Sequence, residues 1–318
     1  MQPATPLTPP ARLLIALQSS LYIFRERTVA MLSALFVVLV LISAYLGWSA
    51  TNTVDAIYAD AAVYLKSIGQ TVPANPVLDI SPLSLLRNMS IYVSLIGALA
   101  AIVIGYQLIA SDRKSGVIPL LGSRPLTRMD YARGKIAALA ILLAALMGVA
   151  AIISIATFLV LPQFHLSPQG WVKLFSFFAL SYGYMLMFGL VALATAARAR
   201  SETVGLLLPV TLWLTLTFIL PSLTANIHPT AAINPISALA PAPDTPFFHW
   251  TGYLIGPFSI AESFKYVSAG LLDFLPATAK VRSSIPPLAD LAFALAGAGA
   301  LAIYALGRMD MTTGEYDV

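Results

Sequence analysis

The chain has 318 residues, of which 58% are hydrophobic and only 10% charged, with a mean hydropathy of +0.84 and a formal net charge of +4. A water-soluble domain carries roughly 25% charged residues, so too little polar surface is available here to clothe a soluble fold, and the chain reads as an integral membrane protein. The absence of cysteine excludes disulfides, thiolate nucleophiles and Cys-ligated metals, and the small positive charge reads as loop asymmetry, not as affinity for nucleic acid.

Residues 1–10 hold four prolines and read as a loose tail. In 11–27, Leu13, Leu14, Leu17, Leu21 and Phe24 recur at helical spacing, and Arg25, Glu26 and Arg27 close the segment. That pattern predicts an amphipathic helix in the inner membrane interface. Residues 28–318 then form the transmembrane domain. A charge at mid-bilayer costs ~2.5–3.5 kcal/mol, so charge-free runs mark the crossings. They predict six spans, near 29–49, 89–110, 136–161, 174–197, 203–221 and 288–307, the last with Asp290 at the interface. Pro209 should kink the fifth span. Small residues (Ala137, Ala140, Ala144, Gly148 and Ala151 in the third span; Ala292, Ala296, Gly299 and Ala300 in the sixth) form faces that let helix backbones approach closely, in this chain or between copies.

Two longer outer loops join the spans. Loop 50–87 has mixed charge, with a short helix expected in its first half. Loop 222–286 is broken by prolines in its first part. Its Glu262–Leu275 stretch then reads as an amphipathic helix with Phe264, Val267, Leu271 and Phe274 on one stripe, packing on the outer leaflet or capping the bundle. With the N-terminus in the cytoplasm, twelve Lys and Arg residues lie inside and six outside, so both ends are expected to be cytoplasmic.

Enzyme signatures are missing. No GxxxxGK[ST], HExxH or GxSxG is present, and Gly134-Lys135 is followed by Ile136 without the leading Gly of a P-loop. His165, His228 and His249 all fall on the outer side; with Asp244 or Asp273 they could gather around a metal, but they read better as loop and interface residues, and no metal site is expected. The predicted spans hold no ionisable group apart from Asp290, which argues against a proton-driven pump. Gly97, Gly105, Gln107, Tyr182 and Tyr184 are candidates to line a pathway, with packing as the alternative for each.

The segment 111–134 carries the most information. It holds five positive and two negative residues, and Gly116, Pro119, Gly122 and Pro125 are expected to break it into short pieces. Thr127 can cap a new helix, with Asp130 in its positive first turn. A charged, tightly turned element between two spans suits docking on a cytoplasmic protein.

Asp112-Arg-Lys-Ser-Gly116, Pro119-Leu-Leu-Gly-Ser-Arg-Pro-Leu-Thr-Arg128 and Gly134-Lys135 together resemble the type-2 ABC transporter permeases. Those typically read Glu-Arg-x-x-Gly-[Thr/Ser], then Leu-x-x-Pro-[Leu/Ile]-[Ser/Thr]-Arg, then Gly-Lys. Asp112 replaces the usual Glu, and Val117 the usual small hydroxyl residue. The six-span layout, the larger loop before the last span and Asn234-Pro235 are similar too, in the flavour of bacitracin- and sodium-efflux permeases and of the permease for nitrous-oxide-reductase maturation. The resemblance implies an all-α integral membrane subunit in a bacterial inner membrane. Two copies would form an export pathway, driven by two copies of a separate cytoplasmic ATPase that holds the ATP and Mg, with no cofactor in this chain. It also implies an ATPase-coupling loop built on Asp112, Arg113, Gly116, Arg124, Pro125, Thr127, Arg128, Gly134 and Lys135. A scaffold that works on an extracytoplasmic partner through loop 222–286 is the alternative, and a membrane-embedded enzyme lacks the converging polar groups it would need.

Overall fold

The computed structural model describes residues 11–75, 81–122, 127–160, 166–224, 245–275 and 283–309; among them there is no strand. Six helical runs are long and apolar enough to cross a membrane: Arg27–Ser67, Pro82–Lys114, Arg128–Val160, Pro168–Arg198, Glu202–Thr224 and Pro287–Gly307. The protein is therefore an all-α integral membrane protein with six candidate spans, each overlapping one of the charge-free runs. Spans 2 and 4 are mostly buried and form the centre of the bundle, while spans 1, 5 and 6 turn most of their surface outward.

Helix α1 (Ala11–Phe24) is separate from helix α2 (Arg27–Ser67). The break is chemical: the Glu26 carboxylate accepts the N–H groups of Thr28 and Val29 and so caps α2. The leucine stripe of α1 faces away from the protein, with Leu13, Leu14, Leu17, Leu21 and Phe24 all exposed. The face that packs on the bundle is made instead of Ala16, Ser20 and Ile23.

Helix α2 differs from expectation in length. Its 41 residues reach about 60 Å at ~1.5 Å per residue, twice a ~30 Å hydrocarbon core. The first half of loop 50–87 is thus no separate helix but a continuation of span 1. Nothing in it breaks a helix until Gly69, where Gln70 N–H bonds the Leu65 carbonyl and closes the end.

Span 2 is composite. A 3₁₀ turn (Pro82–Leu86) leads into α3 (Arg87–Tyr92), a π-helical stretch (Val93–Gly97) and α4 (Ala98–Lys114). A short α5 (Val117–Gly122) follows, then span 3 as α6 (Arg128–Val160) and span 4 as α7 (Pro168–Arg198). Span 5 consists of α8 (Glu202–Leu214), a second π-helical stretch (Thr215–Ile219) and α9 (Leu220–Thr224). Pro209 lies inside α8. It lacks the N–H that would reach the Gly205 carbonyl four residues back, and that carbonyl accepts the Thr195 hydroxyl of α7 at 3.2 Å instead. On the outer side lie α10 (Pro246–Ile255) and α11 (Ile260–Leu271), before span 6, α12 (Pro287–Gly307).

The small-residue faces are partly turned outward, although Ala151 packs against the core. A Cβ added at Gly148 or Gly299 would meet nothing, and Ala144, Ala292, Ala296 and Ala300 are exposed. The close backbone crossing is elsewhere, where Gly105 of α4 is pressed against the Gly189 carbonyl of α7.

Candidate functional site

The end of the bundle rich in Lys and Arg, read as cytoplasmic, is held by the last turn of α4. Three successive side chains there reach three different helices. Asp112 accepts Lys135 Nζ of α6 at 2.7 Å and the Tyr131 hydroxyl at 2.9 Å. Arg113 spreads its guanidinium over the C-terminal end of α7, donating to the carbonyls of Ala197 and Ala199 at 2.9 Å each. A cation there satisfies orphan carbonyls and opposes the negative end of the helix dipole. Lys114 pairs with Glu202 at the start of α8 at 3.0 Å; both are well exposed, so this pair adds little.

The Lys135–Asp112 pair is of another kind. Lys135 is 2% exposed and also donates to Ser19 Oγ of α1 at 3.0 Å, with its ammonium 5.5 Å from the Tyr131 ring centre. One lysine thus joins α1, span 2 and span 3. The neighbouring Gly134 lies where α1 crosses α6: an added Cβ would meet Ile15 at 2.7–2.9 Å. The helix capped by Thr127 runs without a break through Lys135 into span 3, and Lys135 is buried in it. A pair of opposite charges in hydrogen-bonding distance makes that burial tolerable.

Between α4 and α6 the chain reverses at Gly116, whose φ of +65° lies in the left-handed region that glycine favours. Pro119 does not break the segment as expected. It occupies the first turn of α5, where its missing N–H is not needed. Ile118 is buried and fixes α5 to the bundle, while Leu120 points outward. Thr127 caps α6, its hydroxyl accepting the Asp130 N–H at 3.1 Å and donating to the Asp130 carboxylate at 2.6 Å. Arg128 is exposed. Arg124 and Pro125 lie outside the described residues.

Of the expected loop residues, the structure brings together Asp112, Arg113, Gly134 and Lys135. Tyr131, Ser19 and the two carbonyls at the end of α7 were missed. Tyr131 could have been found, since it stands four residues before Lys135 on the same helix face. The others belong to helices remote in sequence.

The pathway candidates scatter. Gly97 packs on Phe36 and Met185, and Gly105 on Gly189. Gln107 is half-buried, and Tyr182 donates to the Ala140 carbonyl at 3.2 Å. Tyr184 is buried, with its ring stacked on Phe264 of α11 at 4.3 Å and its hydroxyl facing Thr217. On the outer side, Asp273 accepts from Lys173 at 2.6 Å and from Ser81 at 3.0 Å. Burial pushes the Lys265 ammonium below the ordinary lysine range, against the pull of Glu262. Asp290 is buried in the first turn of α12 and accepts the Ser263 hydroxyl at 2.6 Å. Among the described residues no three His, Asp or Glu side chains are placed to hold a metal; His165, His228, Asp244, Asn234 and Pro235 lie outside them.

No curated protein matches the chain. A family described as ABC-2 family transporter protein matches residues 15–306, nearly the whole length and every helix from α1 to α12. The chain belongs to that family and is a membrane permease component of an ABC transporter, a multi-pass subunit that works with an ABC ATPase.

Proposed function

We propose that two copies of this chain form an export pathway in a bacterial inner membrane, driven by two copies of a cytoplasmic ATPase. The turn from Asp112 to Lys135 passes the ATPase's motion to the spans. The observation that carries this reading is the last turn of α4: Asp112 and Arg113 hold span 3 and span 4 in turn. A push on α5 at the Gly116 turn therefore acts on three spans together. ATP and Mg belong to the partner subunit.

Gly116→Pro tests it. Proline cannot adopt the positive φ, so α5 is re-aimed, while open space around Gly116 keeps the bundle itself unstrained. The reconstituted complex is expected to hydrolyse ATP with little transport; unchanged transport per ATP would overturn the reading. Native mass spectrometry tests the two-plus-two composition, and a stable, active assembly with one permease would exclude it.

A second reading is supported by α10, which turns Phe247, Trp250, Tyr253 and Leu254 outward. In it the same motion is delivered to an extracytoplasmic partner through loop 222–286. Purification in mild detergent that brings down an extracytoplasmic protein with the ATPase would favour it, and loss of that protein on removal of 246–255 would be required.

A further inference from the structure

Helix α2 rises well past the membrane. Tyr45 and Trp48, with ring centres 5.9 Å apart, mark the outer end of its crossing part, because aromatic side chains gather at the headgroup level. The rest of the helix, residues 50–67, adds about 27 Å at ~1.5 Å per residue. It is exposed on nearly every side. The segment after it folds back along one side. There the Tyr58 hydroxyl donates to the Pro73 carbonyl at 2.8 Å, and the Asn75 amide donates to the Asp55 carboxylate at 2.8 Å. Tyr58, Ala62 and Leu65 on that side are half-buried.

Next to the covered side runs a second stripe. Val54, Ile57, Ala61, Tyr64 and Ile68 are spaced 3, 4, 3 and 4 residues apart, and all are exposed, Ile57 and Tyr64 to 64% each. A repeat of ~3.5 residues keeps them on a single seam, the pattern by which two helices pair in a coiled coil. The height of the seam matters. Within the bilayer an apolar face is covered by acyl chains as well as by protein, so the exposed residues of the spans need no partner. Above the headgroups the solvent is water, and the stripe gains by being covered.

A second copy of the chain meets the requirement. It carries the same stripe at the same height, and it points the same way because both copies insert alike. A two-fold axis then brings each stripe onto itself. The flanking charges permit this. In a parallel pair Asp60 falls beside the position of Leu65 in the second copy, not beside a like charge, while Asp55 and Lys66 lie off the seam. Two heptads are too few to hold free peptides together. Here each helix is already held upright by its span, so pairing takes place at high effective concentration.

We propose that the outer part of α2 pairs with the same helix of a second copy as a short parallel coiled coil, with Ile57, Ala61 and Tyr64 each facing its own equivalent. This rests on the two-copy reading and deepens it, by naming a surface outside the bilayer through which the copies hold each other.

The chain has no cysteine, so single cysteines in the full complex in membranes test the pairing directly. Ile57→Cys, Ala61→Cys and Tyr64→Cys are expected to form disulfide-linked dimers under copper-phenanthroline at least about tenfold faster than Ala59→Cys and Lys66→Cys on the far side, since a disulfide needs Cα atoms within ~7 Å. All five side chains are exposed, so the substitutions leave the fold of the single chain intact. Equal cross-linking at all five positions, or none at any, overturns the pairing. Ile57→Asp places two like charges in the seam and is expected to abolish cross-linking at Ala61→Cys; full retention overturns the pairing as well. So does a thiol at position 57 that neither cross-links nor reacts with an impermeant maleimide, because another molecule then covers the stripe. Native mass spectrometry and transport separate this inference from the reading beneath it. Two permeases per complex without cross-links sink the seam alone, and periodic cross-links in a complex that does not transport sink the export reading alone.

Discussion

Lys135 Nζ sits 2.7 Å from Asp112 Oδ2, and the lysine is 2% exposed. Spans 2 and 3 are thereby clamped together at the turn that joins them. The same ammonium holds Ser19 of α1, so the interfacial helix is part of the clamp.

Removing one partner should cost far more than removing both. Asp112→Ala leaves the buried ammonium uncompensated, with an expected loss of about 3–5 kcal/mol, while replacing both charges by apolar side chains should recover most of it. Thermal unfolding of Asp112→Ala, Lys135→Met and the Asp112→Leu/Lys135→Met double variant in detergent measures this. Simple addition of the two single losses would show that the clamp is not one unit.

Arg128 separates docking from folding. It is exposed at the start of α6, so Arg128→Glu should change stability by no more than about 0.5 kcal/mol. It should nonetheless weaken association with the ATPase, read as loss of the ATPase from the purified complex and lower stimulated hydrolysis. Full retention of both would reduce the arginine to an anchor at the membrane surface.

Gly134→Ala should lift α1 from the bundle. The new methyl would meet Ile15 and approach the Arg12 carbonyl, and neither is the far end of a flexible side chain. Overpacking of this kind costs roughly 1–3 kcal/mol. Faster proteolysis at 25–27, between α1 and α2, is the expected sign; wild-type protection would mean that the crossing has slack.

Ser67→Cys, exposed at the end of α2, should react with an impermeant thiol reagent from the extracytoplasmic side. Labelling only from the cytoplasmic side would reverse the topology that the Lys and Arg distribution implies.

Much of this protein was legible before folding. All six spans follow from charge-free runs, because the cost of a charge in hydrocarbon is set residue by residue, whatever the neighbours. The caps at Thr127 and the break before Arg27 are local as well, since each is closed by a side chain two or three residues from the amide it serves. The stripe of leucines on α1 was legible as a face but not as a direction. A hydrophobic stripe looks the same whether lipid or protein covers it, and here Ala16, Ser20 and Ile23 take the protein side.

What only the tertiary structure decided is which helices meet. Asp112, Lys135 and Ser19 are far apart in sequence, and nothing along the chain says that one ammonium reaches both oxygens. The Phe264–Tyr184 stack is more remote still, joining an outer loop to the middle of span 4. Periodicity along one helix reports its own faces and no more. The partner across a helix interface is chosen by the packing of the whole bundle, so the six crossings belong to the sequence, while the clamp at Lys135 and the stack of Phe264 on Tyr184 belong to the fold.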